Sequence, residues 1–189
     1  ISNWVFNEVC ANIKQWKAQN RQELQVSINT SPSHYFNLES NITQWLNLLL
    51  DQKISARSIL LEVTENLLME ANEMVSKKLF QFRQAGVDIA LDDFGTGYSS
   101  ISYLKRFPTD FIKIDRSFVK SMTDVSNDKV LCEAIIVMAN KLGIKVVAEG
   151  VETQEQYDIL KSMGCDYAQG YFIAKPLSKS DFESFLERH

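Results

Sequence analysis

The chain has 189 residues, a net charge of −4 at pH 7, and 45% hydrophobic and 23% charged residues. This balance excludes a disordered segment, and the negative charge argues against duplex nucleic acid as a partner. No apolar run approaches the ~20 residues that cross a bilayer. The three cysteines, Cys10, Cys132 and Cys165, are too widely spaced for a disulfide framework or a zinc site. We therefore expect a cytoplasmic domain with reduced cysteines.

Short apolar runs alternate along the chain with stretches of helical periodicity. In chain order, the pattern predicts a helix over 5–16, a strand over 25–29, a helix over 42–49, a strand over 58–63, a helix over 74–82, a strand over 87–91, a helix over 98–106, a strand over 111–114, a helix over 130–138, a strand over 145–148, a helix over 157–163, a strand over 167–172 and a helix over 182–186. Gly86, Gly143 and Gly164 are the stop signals of three of these helices.

This alternation predicts an α/β fold with a parallel sheet, arranged either as an open doubly wound sheet or as a (β/α)8 barrel. Polar residues distinguish the two, because each of the predicted strands carries one within it or just after its end. These residues are Asn29, Glu62, the pair Asp92 and Asp93, Lys113, Glu149 and Gln169. A barrel brings the carboxyl ends of all its strands into one ring, whereas the outer strands of an open sheet lie too far apart to share a site. The sequence therefore favours the barrel.

The pair Asp92 and Asp93 is the strongest functional signal in the sequence. The two adjacent carboxylates close the apolar run 87–91, and a glycine-rich loop follows them directly. Like charges side by side repel each other, so a cation normally has to hold them. Gly95 and Gly97 allow a sharp backbone turn, which would free both acids to face one site. The sequence therefore predicts a divalent-metal site at this strand end.

The other polar strand residues extend the predicted site. Asn29 and Glu62 add hard oxygen ligands suited to Mg²⁺ or Mn²⁺. Lys113 could hold a water or a phosphate oxygen, and Glu149 could accept a proton or bridge a metal. Two hard cations with a lysine and a spare carboxylate suit the hydrolysis of a phosphodiester by in-line attack of water. Taken singly, each residue also has a plain interpretation as a turn, cap or edge residue.

Six short motifs lie in order along the chain. They occupy 28–31, 61–65, 91–100, 112–115, 147–153 and 169–177. Together they resemble the motifs of the EAL-domain family of bacterial cyclic di-GMP phosphodiesterases. The resemblance implies a modified (β/α)8 barrel that cleaves cyclic di-GMP to linear pGpG with two Mg²⁺ or Mn²⁺ ions. It also implies a homodimer formed through this domain, in a parent protein whose further domains can include a membrane anchor.

The resemblance further implies roles for the residues of the predicted metal site. Asn29, Glu62 and Asp92 would hold the first metal ion. Asp92 and Asp93 would serve the second ion, and Lys113 would position the attacking water.

It also implies roles for four carboxylate and amide residues around that site. Glu149 would act as the general base or as a ligand of the second metal. Glu152 and Gln169 would support the metal, the water or the substrate. Glu65 would anchor the loop 94–100.

The family is named after a Glu-Ala-Leu motif near the start of the domain, whose glutamate binds metal, and this chain lacks the motif. The first helix resembles the one that follows the second barrel strand. We therefore expect residues 1–189 to be a single EAL domain without its first two strands, an incomplete barrel with about six βα units. A phosphodiesterase parent is favoured. The alternatives are a degenerate EAL module that binds cyclic di-GMP or a protein partner without catalysis, and another metal-dependent barrel enzyme.

Overall fold

The chain folds as an α/β protein. The computed structural model describes residues 2–19, 24–36, 42–96, 104, 106–122 and 126–188. The chain forms two compact units, Ile1–Lys113 and Ile114–His189. Strands and helices alternate in both units, which agrees with the alternation predicted from hydrophobic periodicity.

The described residues of the first unit contain four strands and five α-helices. The strands are β1 (Val26–Asn29), β2 (Ile59–Thr64), β3 (Asp88–Phe94) and β4 (Phe111–Ile114), whose last residue begins the second unit. The helices are α1 (Ser2–Ala18), α2 (Pro32–Phe36), α3 (Ile42–Asp51), α4 (Glu65–Met69) and α5 (Glu73–Gln84), and a 3-10 turn spans Ala56–Ser58.

A parallel sheet forms the core of the first unit. β1 pairs with β2, and β2 pairs with β3. β2 is buried along most of its length, as expected for a parallel strand covered on both faces. Helix α5 begins after Asn72, whose side chain accepts a hydrogen bond from the Val75 N–H at 3.0 Å. The helix then buries Val75, Leu79 and Phe82 at i, i+4 and i+7, so a packed core holds the strands in place.

The described residues of the second unit contain two strands and four helices. The strands β5 (Lys145–Glu149) and β6 (Tyr167–Gln169) pair in parallel. The helices are α6 (Arg116–Lys120), α7 (Asn127–Leu142), α8 (Gln154–Ser162) and α9 (Lys179–Arg188). Ser126 caps the start of α7, and Gly143 ends it with a left-handed φ of 72°. Thr153 and Gln156 form a reciprocal capping box at the start of α8.

Most predicted elements are confirmed to within a few residues, and β4 has the predicted bounds. The strand predicted over 87–91 instead continues to Phe94, because Asp92 remains paired with Thr64 in the ladder. The last strand is shorter than predicted and ends at Gln169. The helices α2, α4 and α6 were not predicted, since five residues are too few to show a helical period. The helix predicted over 98–106 lies largely outside the described residues.

None of the helices in the described part of the chain combines the length and the apolar character needed to cross a bilayer. The longest, α1, has 17 residues and includes charged side chains.

The three cysteines are free thiols; Cys10 and Cys132 are buried, and Cys165 is half-buried. Burial raises the pKa of Cys10 and of Cys165 to about 11, and that of Cys132 to about 12. At about pH 8 a thiol with a pKa near 11 is only about 0.1% thiolate, and the thiolate is the reactive form.

We therefore expect iodoacetamide at about pH 8 to label the native chain roughly 100-fold more slowly than the chain unfolded in urea. Because folding favours the neutral thiols, their contribution to stability is complete below about pH 9 and is lost as the pH rises through about 11. Equal labelling rates in the native and unfolded chains would show that one of these thiols is ionised or exposed.

Candidate active site

Three neighbouring strands of the first unit carry polar side chains on one face. Asn29 ends β1 and pairs in register with Glu62 of β2. Glu62 pairs in turn with Ala90 of β3, and Asp92 lies two residues further along that strand. Side chains alternate between the two faces of a sheet with a period of two, so Asn29, Glu62 and Asp92 share a face. The structure thus places three of the predicted metal ligands on the same side of the sheet.

Lys113 on β4 joins two of these residues through ion pairs. Its Nζ lies 2.9 Å from Glu62 Oε2 and 2.9 Å from Asp92 Oδ1. The side chains of Lys113 and Glu62 are only 6% and 5% exposed, and that of Asp92 is 14% exposed. Among the described residues, the buried Asp92 Oδ1 makes no hydrogen bond of good geometry, so its contact with Lys113 is an attraction of charges. Charges buried this deeply are tolerated only when they are paired.

Asp93 reaches the same place through an unusual backbone conformation. Its φ of 55° lies in the left-handed region, which residues other than glycine seldom adopt. On a regular strand its side chain would point away from that of Asp92. Instead, carboxylate oxygens of the two residues lie within 4.8 Å of each other. Thr96 stabilises the turn, because its hydroxyl and N–H donate to the Asp93 carbonyl at 2.9 and 3.4 Å.

The carboxylates of Asp92 and Asp93 come together for a different reason than the sequence predicted. Two glycines were expected to turn the backbone, but Asp93 itself makes the turn. Gly95 continues it with a φ of 99°, and Gly97 lies outside the described residues. The backbone conformation of Asp93 itself, and not only that of a glycine, therefore directs its carboxylate toward Asp92.

We refer to Glu62, Asp92, Asp93 and Lys113 as the charged cluster. Three carboxylates and one ammonium give these four side chains a formal charge of −2. Hard oxygen donors, together with the amide of Asn29 on the same face, are the ligands that Mg²⁺ and Mn²⁺ prefer. The proximity of Asp92 and Asp93 is electrostatically unfavourable without a cation. The residues present therefore fit a divalent metal.

Thr30, which lies within the motif 28–31, contacts the same strand end, although no role was predicted for it. Its hydroxyl donates to the Glu62 carbonyl at 2.7 Å, and its N–H donates to the same oxygen at 3.1 Å. A threonine after a strand is common in any sheet, so only the structure distinguishes this one.

Glu65 is buried beside the cluster's strand. It is the first residue of α4, follows the N-cap Thr64, and is 5% exposed. Helix α4 packs against β2 and β3, the strands that carry Glu62 and Asp92. Its position at a helix start favours a negative charge. Its implied role as the anchor of the loop 94–100 stays a prediction, because residues 97–100 lie outside the described part of the chain.

In the second unit, Glu149 and Gln169 lie side by side. They end β5 and β6 and pair in register. Glu149 is half-buried, and Gln169 is exposed. The next residue, Gly170, packs so tightly that a Cβ there would lie 2.1 Å from the Val151 carbonyl oxygen. Because only glycine permits this approach, Gly170 lets the Val151 N–H donate to the Gln169 carbonyl at 3.1 Å and fixes that strand end.

Glu152 lies in the second unit just before the N-cap of α8. It is exposed, and its N–H donates to Gln156 Oε1 at 2.8 Å. Acidic residues favour this exposed position at a helix start without any functional role. Its supporting role in the site stays a prediction.

Comparisons with known proteins identify the family of the chain. Residues 1–176 match the family model of the EAL domain. Over 189 residues, the chain is 36% identical to the cyclic di-GMP phosphodiesterase NbdA of Pseudomonas aeruginosa, and the match covers 100% of this chain and 24% of NbdA. The chain thus spans about a quarter of the length of that relative. The chain belongs to the EAL domain family.

Solved structures support the same assignment. The PaMucR phosphodiesterase in its c-di-GMP complex superposes with a TM-score of 0.88 and 34% identity, covering 95% of this chain and 72% of that one. The manganese and cyclic di-GMP complex of Klebsiella pneumoniae BlrP1 at pH 9.0 superposes with a TM-score of 0.79 and 30% identity, covering 93% of this chain and 45% of that one. The predicted fold class, the TIM-like α/β fold of EAL domains, is therefore confirmed.

Proposed function

We propose that the domain to which this chain belongs hydrolyses cyclic di-GMP to linear pGpG with a divalent metal. The observation that carries the proposal is the charged cluster, in which Lys113 is held between Glu62 and Asp92 while Asp93 is turned toward Asp92. A group of this kind has a cation-binding surface beside a fixed positive charge, which suits a phosphodiester. Membership of the EAL family, with relatives named as cyclic di-GMP phosphodiesterases, supports the substrate.

We propose two Mg²⁺ or Mn²⁺ ions as cofactors. Asn29, Glu62 and Asp92 would hold the first ion, and Asp92 and Asp93 the second. Bound ions of this kind polarise a phosphodiester and activate water as a nucleophile. The hard oxygen donors and the formal charge of −2 support this assignment, and so does the manganese in the BlrP1 complex.

The side chains of the protein itself would orient the reacting groups. The two carboxylate partners fix the Lys113 ammonium, so its charge is in place before negative charge develops on the phosphate. Lys113 would also position the attacking water. Glu149 would accept a proton from that water as the general base. Gln169 and Glu152 would support the substrate.

A second candidate function is a degenerate module that binds cyclic di-GMP or a protein partner without catalysis. In such a module a metal ligand would be absent, and a hard-cation site that loses one carboxylate binds metal less tightly. The buried charged cluster argues against it. Apolar residues of similar volume are often as stable as a buried ion pair, so a module that only binds has no physical need for these charges.

The test is the formation of pGpG from cyclic di-GMP with Mn²⁺ by the full-length protein, by Glu62→Gln and by Glu8→Gln. Glu8 is an exposed carboxylate on α1 and serves as the matched control. We expect metal-dependent hydrolysis by the wild type and the control, and a loss of about 100-fold or more in Glu62→Gln. Cyclic di-GMP binding without hydrolysis by the wild type would instead establish the binding module.

We also propose that the chain is an EAL domain without its first two strands, with a homodimer and further domains in the parent protein. Among the described residues of each unit, β1 pairs with β2 and β6 pairs with β5, which supports open edges at β1 and β6. We propose a cytoplasmic location, supported by three unpaired cysteines, and a parent whose further domains can include a membrane anchor.

Open strand edges recruit other chains. We therefore expect residues 1–189 expressed alone to form dimers or larger species in light scattering. The same assay on a chain extended upstream should show a defined oligomer. A monodisperse monomer of residues 1–189 with a sharp, cooperative melting transition would contradict the proposed missing strands.

A further inference from the structure

A hydrogen-bonded chain connects the buried Tyr35 of helix α2 to the strand that carries Glu62. Tyr35 is fully buried, and its hydroxyl lies 3.0 Å from Thr30 Oγ1. Thr30 is 7% exposed, and its hydroxyl lies 2.7 Å from the Glu62 carbonyl oxygen. A carbonyl only accepts, so the single hydroxyl proton of Thr30 goes to Glu62, and Tyr35 must donate to Thr30. This constraint fixes which group donates in both hydrogen bonds.

Thr30 therefore links the backbones of two predicted metal ligands. It is peptide-bonded to Asn29, and it donates twice to the Glu62 carbonyl, from its N–H at 3.1 Å and from its hydroxyl. The N–H bond continues the β1–β2 ladder, whereas the hydroxyl bond is extra. Asn29 and Glu62 are thus held in register by more than the ladder alone.

Tyr35 is itself held in place by neighbouring elements of the first unit. Lys78 on α5 donates to the Tyr35 carbonyl at 3.0 Å. The adjacent His34 stacks on Trp45 with ring centroids 4.4 Å apart. Burial raises the pKa of Tyr35, so the phenol stays neutral and remains a donor throughout the physiological range. We call the hydrogen-bonded chain from Tyr35 through Thr30 to the Glu62 carbonyl the clamp. Lys78 and Trp45 thus anchor the clamp to helices α5 and α3 rather than to a surface loop.

We propose that Thr30 and Tyr35 are positioning residues that fix the backbones of Asn29 and Glu62 for metal binding. This inference rests on the proposed function. Neither side chain touches substrate or metal in this scheme. Both act through the main chain that carries the ligands. Residues that orient metal ligands in this way typically change metal affinity about 10–100-fold when they are removed.

The test is a double-mutant cycle in the full-length protein with Thr30→Val, Tyr35→Phe and the double variant. Two properties are measured: the melting temperature without metal, and the Kd for Mn²⁺ from titration by electron paramagnetic resonance. Thr30→Val leaves the Tyr35 hydroxyl buried without an acceptor, so we expect its Tm to fall by about 2–8 °C. The double variant removes both partners, so its Tm should return toward that of the wild type.

The Mn²⁺ affinity separates positioning from simple stabilisation. We expect Kd to rise about 10–100-fold in Thr30→Val and to stay raised in the double variant, although its stability recovers. Thr30→Ser keeps the hydroxyl and should restore the wild-type Kd. Ile13→Val, a buried methylene deletion in α1, should lower Tm and leave Kd unchanged.

Two outcomes would overturn the inference in different ways. A double variant that recovers both Tm and Kd would show that the clamp only stabilises the fold, while the proposed function would stand. A wild-type protein that neither binds Mn²⁺ nor forms pGpG would remove the proposed function, and the inference with it.

Discussion

Replacing Lys113 with methionine will destabilise the domain by about 3–5 kcal/mol and lower the rate of cyclic di-GMP hydrolysis about 10²–10³-fold. The reason is that Lys113 is buried and lies 2.9 Å from both Glu62 and Asp92. Methionine keeps the volume of the side chain but leaves two buried carboxylates without their cation. The free energy of unfolding is measured in urea, and turnover is followed by pGpG formation.

The metal dependence of this variant provides a second readout. Without the ammonium, the carboxylates of the charged cluster repel each other more strongly and gain more from a divalent cation. We therefore expect Mn²⁺ to raise the Tm of Lys113→Met more than that of the wild type. Lys141→Met, at an exposed position near the end of α7, should change stability by less than about 0.5 kcal/mol. A Lys113→Met protein as stable as this control would contradict the buried ion pairs.

Changing Asp93 to asparagine will lower kcat about 10²–10³-fold while weakening substrate binding far less. In the proposed site this carboxylate holds a metal that acts mainly on the attacking water, so its charge matters most in the transition state. Asparagine tolerates a left-handed backbone nearly as well as aspartate, so the φ of 55° can persist and the fold should be unaffected. Steady-state kinetics at saturating Mg²⁺ measure kcat and KM separately.

Two comparisons isolate the charge of Asp93 from its backbone. Asp158→Asn changes an exposed carboxylate on α8 and should leave turnover at the wild-type value. Asp93→Ala should be about 1 kcal/mol less stable than Asp93→Gly, because a Cβ is disfavoured in the left-handed region. Near-wild-type turnover in Asp93→Asn would exclude Asp93 as a metal ligand.

Much of the fold could be predicted because hydrophobic periodicity survives in the long elements. Helix α5 repeats its buried residues at helical spacing, and Gly86, with a left-handed φ of 92°, follows its end. β4 is a run of apolar residues interrupted by Lys113, and its bounds follow directly from the sequence. Polar residues on apolar strands also pointed to the site, since a buried strand has no packing reason to carry Glu62 or Lys113.

The remaining features depend on tertiary contacts that leave no local pattern. The strand β3 continues through Asp92 because it pairs with β2, although adjacent charges resemble a strand end. The left-handed φ of Asp93 has no sequence marker comparable to a glycine. The ion pairs of Lys113 join residues 51 and 21 positions apart, from Glu62 to Lys113 and from Asp92 to Lys113, so only the folded chain reveals them. Thr30 lies within the motif 28–31, but its hydrogen bond with Tyr35 is seen only in the folded chain.

We propose that this chain carries the catalytic cluster of a cyclic di-GMP phosphodiesterase and is an EAL domain without its first two strands. The most direct test measures pGpG formation from cyclic di-GMP with Mn²⁺, comparing residues 1–189 with the chain extended upstream by the proposed missing strands. We predict pGpG from the extended chain and little or none from residues 1–189. If neither chain forms pGpG while both bind cyclic di-GMP, the charged cluster is not catalytic and the domain is a binding module.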